Sequence, residues 1–200
     1  MLTYIKNRKK LVILVHEIYG INQHIHTFAQ LLEKLGADVI CPNLLPTNEP
    51  FNELQGEEAY HYFMEHVGFE KGSATINKII NQVHKRYDEI YLVGFSVGAT
   101  IAWICSTQNA FLKRTICFYG SRIRDYYQLN PQCPVTLFLS SIEKSFNVHD
   151  FVAKLNERKY DSVDIQLFKA KHGFANSYSR SFNKCAYHET MTQIESMIQK

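Results

Sequence analysis

The sequence predicts an α/β protein with a mostly parallel sheet that helices flank on both faces. Short apolar, β-branched runs alternate along the chain with segments of helical periodicity, an alternation typical of parallel sheets with right-handed crossovers. Several of the runs are apolar throughout, as expected where both faces of a sheet are covered. A length of 200 residues suits one domain, so we expect a single domain over residues 1–200.

Six apolar runs have the length of a strand: residues 11–15, 38–41, 90–94, 115–119, 135–139 and 165–168. Helical stripes, with apolar residues three and four positions apart, lie over residues 25–35, 76–83, 97–106, 151–155 and 191–197. Asn22 is the expected N-cap of the first helix and Gly36 its C′ residue. The proline-containing stretch 42–72 is interpreted as an excursion over the sheet, because no change in composition marks a second domain.

Charge and cysteine content exclude several functional classes. The 22 basic and 19 acidic residues give a net charge of +3, which offers no electrostatic case for a nucleic-acid partner. No run approaches the roughly 20 apolar residues of a membrane span, and the run 11–15 is too short for a signal peptide. Five widely spaced cysteines predict neither a disulfide framework nor a zinc site. We therefore expect a soluble, cytoplasmic protein without a membrane partner.

The strongest chemical signal is the G-x-S-x-G motif formed by Gly94, Ser96 and Gly98. It follows a predicted strand and precedes a predicted helix, which is the context that a nucleophile elbow requires. The glycines leave room for a sharp turn, so that the Ser96 hydroxyl stands above the sheet and the helix directs its first amides at the reacting oxygen. The alternative is a glycine-rich turn with Ser96 as an ordinary N-cap.

A serine nucleophile needs a base and an acid, which in this order of elements follow it as acid and then histidine. His172 lies in a loop directly after the last predicted strand. The other histidines fall in predicted helices, which include those around His61, His66 and His84, or lie too early in the chain, as His16 and His149 do. Glu143 is the first carboxylate after the strand 135–139, and Asp150 is the alternative, seven positions later. Both carboxylates could also be ordinary surface groups. If Glu143 is the acid, we expect its oxygen about 2.6–3.2 Å from the His172 ring.

Two amides are candidates for an oxyanion hole: that of Val97, after the nucleophile, and that of Ile18, after the first predicted strand. The segment around Ile18 is equally explained as a loop that ends in Gly20 before the helix cap. Both interpretations can hold together, since an amide donor places little demand on side-chain identity.

In their order and spacing, five segments make the chain resemble the dienelactone hydrolase family, a compact branch of the α/β-hydrolases. The segments are residues 16–22 (HEIYGIN), 41–44 (CPNL), 94–98 (GFSVG), 118–120 (FYG) and 172–174 (HGF), and the resemblance runs from residue 11 to about 178. It implies an α/β-hydrolase fold, with Ser96 as nucleophile, His172 as base, and the Ile18 and Val97 amides as oxyanion hole.

Three departures from the family pattern change these expectations. The type enzymes carry cysteine where this chain has Ser96, and their acid is an aspartate at the position of Ser145, so the resemblance does not supply the acid. The arginine that binds a substrate carboxylate is absent after His172, which argues against dienelactone itself as substrate. Glu17 matches a family glutamate that interacts with the cysteine nucleophile.

Two functions from different classes follow. The leading hypothesis is a carboxylic ester hydrolase that cleaves a small ester, lactone or thioester through an acyl-enzyme on Ser96, with a small-molecule substrate as partner and no cofactor or metal. The candidate pocket residues are Glu17, Tyr19 and Tyr119, with the aromatic group at 60–63. The alternative is a non-catalytic α/β-hydrolase-like small-molecule binding protein, which the altered acid loop motivates. A metal site at His24 and His26 is disfavoured, because residues two apart on a helix point to different sides.

Overall fold

Seven strands form one twisted sheet in the computed structural model, which describes residues 1–47 and 49–199. The strand order is β1-β3-β2-β4-β5-β6-β7, and only β1 runs antiparallel to its neighbour. The strands are β1 (Leu2–Tyr4), β2 (Lys10–Val15), β3 (Asp38–Cys41), β4 (Glu89–Phe95), β5 (Leu112–Phe118), β6 (Val135–Ile142) and β7 (Val163–Lys171). The predicted mostly parallel sheet is therefore confirmed.

Helices cover both faces of the sheet. They are α1 (Gln23–Lys34), α2 (Gly56–His66), α3 (Gly68–Val83), α4 (Val97–Ser106), α5 (Val148–Glu157) and α6 (Lys184–Gln199). Apolar side chains of α1 and α6 pack with one face of β2 and β4, around Phe28 and Ile194. Those of α2 to α5 pack with the opposite face, around Phe63 and Trp103. The alternation of strand side chains between two covered faces explains why the central strands are apolar at every position.

Most elements extend the predicted segments by a few residues, and two differences are larger. The edge strand β1 was not predicted, because its three residues alternate between partly buried and exposed and carry no pattern long enough to recognise. The excursion 42–72 contains a short 3-10 helix (Glu53–Gln55), all of α2 and the start of α3. Asn22 caps α1 by accepting from the Ile25 amide, and Gly36 follows the helix with φ +97°, both as expected.

The register between β6 and β7 is interrupted at the carboxyl end of β6. The paired residues shift between Ser140 and Ile142, and such an irregularity bends a strand and turns its side chains in a new direction. Because the inner strands are parallel, their carboxyl ends meet at one edge of the sheet, and the segments after β2, β4, β5, β6 and β7 all emerge there.

Within the residues that the structure describes, no helix has both the length and the apolar character needed to cross a membrane. All five cysteines are free thiols, of which Cys185 is exposed and the other four are buried. Cys105 and Cys117 are therefore buried thiols, as their apolar surroundings in the sequence indicate.

Candidate active site

Ser96 occupies the sharp turn between β4 and α4. Its backbone has φ +53° and ψ −113°, a left-handed conformation that costs energy for any residue with a side chain and that clusters at functional sites. The Ser96 amide donates to the Phe118 carbonyl of the neighbouring strand at 2.9 Å, which helps to hold the turn. A Cβ on Gly98 would clash with the Val15 and His16 carbonyls, so only glycine lets α4 approach the end of β2 this closely.

His172 links the serine to a carboxylate. Its Nε2 lies 2.9 Å from Ser96 Oγ, and its Nδ1 lies 2.8 Å from Glu143 Oε1. Because a carboxylate only accepts, Nδ1–H donates to Glu143 and Nε2 is left free to accept from the serine hydroxyl. This is the tautomer that a general base for Ser96 requires.

Glu143, and not Asp150, is the carboxylate on the imidazole. Its 2.8 Å distance lies within the predicted range, and its side chain is only 8% exposed. The Ser140 hydroxyl donates to the same Oε1, so that β6 itself orients the acid. Asp150 lies exposed in the first turn of α5, where its amide is held by the Asn147 side chain. Ser140 was not predicted as part of the site, although a serine three residues before a candidate acid could have indicated a hydrogen bond to its carboxylate.

The two candidate oxyanion donors border the same cavity as Ser96. Val97 is the first residue of α4, so its amide has no partner within the helix. Ile18 lies in the loop after β2, which hydrogen bonds from Gly20 N to Glu17 O and from Asn22 N to Gly20 O hold in a tight turn. Both residues line the cavity together with Ser96 and His172.

This cavity, of about 540 Å³, has aromatic walls and two arginines at its margin. Tyr19 and Tyr60 supply the aromatic surface, as predicted, whereas Phe63 is fully buried in the core. The arginines, Arg122 and Arg124, follow β5 and were not predicted, since the position of a loop after a strand does not reveal which of its side chains face the cavity. Arg122 Nε lies 2.6 Å from Asp125 Oδ2, and the Arg124 guanidinium lies 4.7 Å from the Phe146 ring centroid.

The sequence matches the family model described as "Dienelactone hydrolase family" over residues 2–200. The chain belongs to the dienelactone hydrolase family. A relative from Bacillus subtilis (strain 168), "Uncharacterized protein YczH", is 41% identical over 94% of this chain and 91% of its own length. The recognition of a dienelactone hydrolase from sequence is thus confirmed, and this membership makes the chain a carboxylic ester hydrolase.

Solved structures of similar proteins share the fold. One is described as "Putative Dienelactone Hydrolase from Klebsiella pneumoniae subsp. pneumoniae MGH 78578"; it matches with a TM-score of 0.77 at 18% identity, over 98% of this chain and 89% of that chain. Another is a cold-adapted esterase from an Arctic intertidal metagenomic library, with a TM-score of 0.72 at 14% identity, over 95% of this chain and 83% of that one. These likenesses confirm the predicted α/β-hydrolase fold.

Glu17, which matches a glutamate of the dienelactone hydrolase family, lies in a buried polar cluster and borders the same pocket as His172. It is 5% exposed, and its Oε1 accepts from the Tyr119 hydroxyl at 2.9 Å. Burial raises the pKa of the Glu17 carboxyl, although the Tyr119 hydrogen bond opposes this effect. Burial also raises the pKa of Tyr119 well above its usual value, so Tyr119 is the donor in this pair.

Tyr119 is not a wall of the cavity, and this corrects the prediction from the sequence. It is 1% exposed, and its ring centroid lies 4.9 Å from that of His172, so it supports the imidazole from below. Its backbone has φ +39°, a left-handed conformation like that of Ser96. Because Tyr119 directly follows a strand, the sequence predicted that it lies near Ser96, but it did not predict the direction of the side chain.

His24 is a buried neutral histidine. Burial lowers its pKa to about 3, and its ring packs edge-on against Phe95 with centroids 4.6 Å apart. Its Nε2 lies 3.8 Å from Glu17 Oε1, too far for a hydrogen bond. Among the described residues, no group of three or more His, Cys, Asp or Glu side chains could hold a metal ion.

Proposed function

We propose that this member of the dienelactone hydrolase family cleaves a small carboxylic ester, lactone or thioester through an acyl-enzyme on Ser96. One observation carries the proposal: the unbroken hydrogen-bonded chain from Ser96 Oγ through the His172 ring to Glu143. A serine hydroxyl is a weak nucleophile unless a neighbouring base accepts its proton, and an oriented neutral imidazole supplies that base.

Each step of the proposed reaction uses groups that border one cavity. Ser96 Oγ attacks the carbonyl carbon while its proton passes to His172 Nε2, and Glu143 stabilises the imidazolium that forms. The Ile18 and Val97 amides donate to the negative oxygen of the tetrahedral intermediate. His172 then gives the proton to the leaving alkoxide or thiolate, and the acyl group stays on Ser96. Water, which loses its proton to His172, attacks the acyl carbon and releases the acid with Ser96 restored.

The alternative of a non-catalytic binding protein receives no support from the site. It was motivated by the altered acid loop, in which the family's aspartate is replaced by Ser145. Glu143 reaches the imidazole from two positions earlier in the chain, so the loop retains a carboxylate on His172.

Labelling and turnover of one serine variant test the proposal. A fluorophosphonate should label Ser96 in the unmodified protein, and hydrolysis of a short p-nitrophenyl ester should be measurable. Ser96→Ala should abolish labelling and lower kcat by at least about 10³-fold, because it removes the nucleophile. Ser162→Ala is the matched control, since its hydroxyl contacts the Cys133 carbonyl away from the active-site cavity. Near-normal turnover by Ser96→Ala would exclude Ser96 from the mechanism.

A further inference from the structure

A second pocket, of about 400 Å³, adjoins the Ser96 cavity on the other side of His172. His172 and Tyr19 border both spaces, so a molecule bound at Ser96 can extend into either. The two differ in character: Ile18, Tyr19, Tyr60 and Val97 line the Ser96 cavity, whereas Asn176, Ser179 and Ser181 line the second pocket. Apart from Arg122 and Arg124 at its margin, the Ser96 cavity therefore has the more apolar wall of the two, and the second pocket has the more polar one.

Glu17 is the deepest charged group of the second pocket, and its hydrogen bonding is incomplete. Oε1 accepts from Tyr119, while Oε2 receives no hydrogen bond from any residue that the structure describes. The side chain is only 7% exposed. Among the described residues, the fully enclosed polar atoms that lack a partner do not include Oε2, so this oxygen is open to the pocket that Glu17 borders. A group bound in this pocket can therefore donate a hydrogen bond to Oε2 in place of solvent.

The charges around the pocket restrict what this group can be. Glu17 and Glu53 are acidic, Lys144 and Arg180 are basic, and all four border the pocket. A substrate carboxylate would meet Glu17 at the bottom of the pocket, and a substrate ammonium would enter past the two cations. Neither charged group fits the mixed surroundings well.

A neutral hydroxyl group can form hydrogen bonds with both the acidic and the basic side chains that border the pocket. It donates and accepts, so it can pair with the acidic and the basic residues of the pocket alike. Burial raises the pKa of the Glu17 carboxyl, and a hydroxyl can form a hydrogen bond with either the ionised or the protonated form of a carboxyl group. The serine and asparagine side chains of the wall provide further partners.

We propose that the second pocket binds a hydroxyl-bearing arm of the ester, with Glu17 Oε2 as the hydrogen-bond partner at its base. The substrate class is then a hydroxylated ester: the scissile carbonyl lies at Ser96, an apolar part occupies the Ser96 cavity, and the hydroxylated part lies beside Glu17. This inference rests on the proposed hydrolase function and adds a selectivity that the catalytic groups alone do not supply.

Two matched pairs of esters test the inference on the intact protein. In p-nitrophenyl 3-hydroxybutyrate and p-nitrophenyl butyrate the hydroxyl is present or absent on the acyl side. In glycerol monobutyrate and propyl butyrate it is present or absent on the alcohol side. A hydrogen bond to a buried carboxyl group should favour the hydroxylated member of at least one pair by about 10- to 100-fold in kcat/KM. Equal kcat/KM values within both pairs would overturn the inference.

Variants then assign the preference to Glu17. The double variant Glu17→Met/Tyr119→Phe removes both partners of the buried hydrogen bond, so that neither is left unsatisfied, and Tyr119→Phe alone is its reference. The preference, taken as the ratio of the two kcat/KM values within a pair of esters, should persist in Tyr119→Phe and disappear in the double variant. Glu57→Gln, at an exposed position of α2, is the matched charge control and should keep the wild-type preference.

The outcomes separate this inference from the proposed function. If Ser96 is labelled by the fluorophosphonate and plain esters are hydrolysed without any preference for a hydroxyl, only the second-pocket inference fails. A preference that survives in the double variant also overturns it, because Glu17 is then not its source. If Ser96 is neither labelled nor required for hydrolysis, the proposed function fails and the second-pocket inference falls with it.

Discussion

Replacing Glu143 by glutamine removes the negative partner of His172 while preserving side-chain size. In the structure, Glu143 Oε1 lies 2.8 Å from His172 Nδ1, and the carboxylate is 8% exposed. Two unit charges about 4 Å apart interact by about 4 kcal/mol at an effective dielectric constant of about 20. This energy stabilises the imidazolium of the transition state and corresponds to about 10³-fold in rate. His172 is 36% exposed, which weakens the charge effect, whereas loss of the fixed tautomer adds to the cost.

We therefore expect Glu143→Gln to lower kcat for a short p-nitrophenyl ester by about 10³-fold, with KM little changed. Asp150→Asn makes the same chemical change at an exposed position of α5, and its kcat should stay within about twofold of the wild-type value. Equal thermal unfolding midpoints for wild type and Glu143→Gln would show that the fold is intact. A loss of less than about tenfold in Glu143→Gln would refute the reasoning, and a large loss in Asp150→Asn would move the acid to α5.

Three further predictions concern stability. Gly98→Ala should yield no folded protein, or destabilise it by more than about 3 kcal/mol in chemical denaturation, because its Cβ would clash with the carbonyls at the end of β2. Asn22→Ala removes the cap of α1 and should cost about 1 kcal/mol by the same measurement. His24 has a pKa of about 3 when folded and 6.5 as an ordinary histidine, so the unfolded chain binds more protons and stability falls as pH drops below 6.5. His24→Phe should reduce the difference between the free energies of unfolding at pH 7 and pH 4.5 by roughly 2 kcal/mol. An unchanged difference would contradict the conclusion that His24 is buried in its neutral form.

The parts of the fold that the sequence predicted correctly are those with a strong local pattern. The central strands β2 and β4 are apolar at consecutive positions, and α4 is small and apolar throughout, so each is recognisable without its neighbours. β1 lacks such a signal, and α2 was predicted only as a helix that contains His61 and His66, without bounds. β1 has only three residues and depends on pairing with β3, and α2 begins at Gly56 without a side-chain cap. Tertiary contacts form these elements, and such contacts are not visible in a local pattern.

The candidate site divides in the same way. Ser96, His172 and Glu143 follow strands whose carboxyl ends meet at one edge, so chain order alone predicts that they come together. The direction of a side chain is a different matter. Tyr119 packs against His172 and has a left-handed backbone, and a left-handed tyrosine has no sequence signature comparable to that of a glycine.

The base of the proposed triad follows the outermost strand of the sheet. β7 pairs with β6 along one edge only, and the side chains of Lys169 and Lys171 on β7 are exposed. Strands at a margin separate from a sheet at lower free energy than central strands do, and amide exchange detects such partial opening. Detachment of β7 would carry His172 away from Ser96, which is anchored at the centre of the sheet through β4 and α4. Esterase activity would then report whether β7 is paired with β6. Fluorescence of the fully buried Trp103 in α4 would report whether the centre of the sheet is folded.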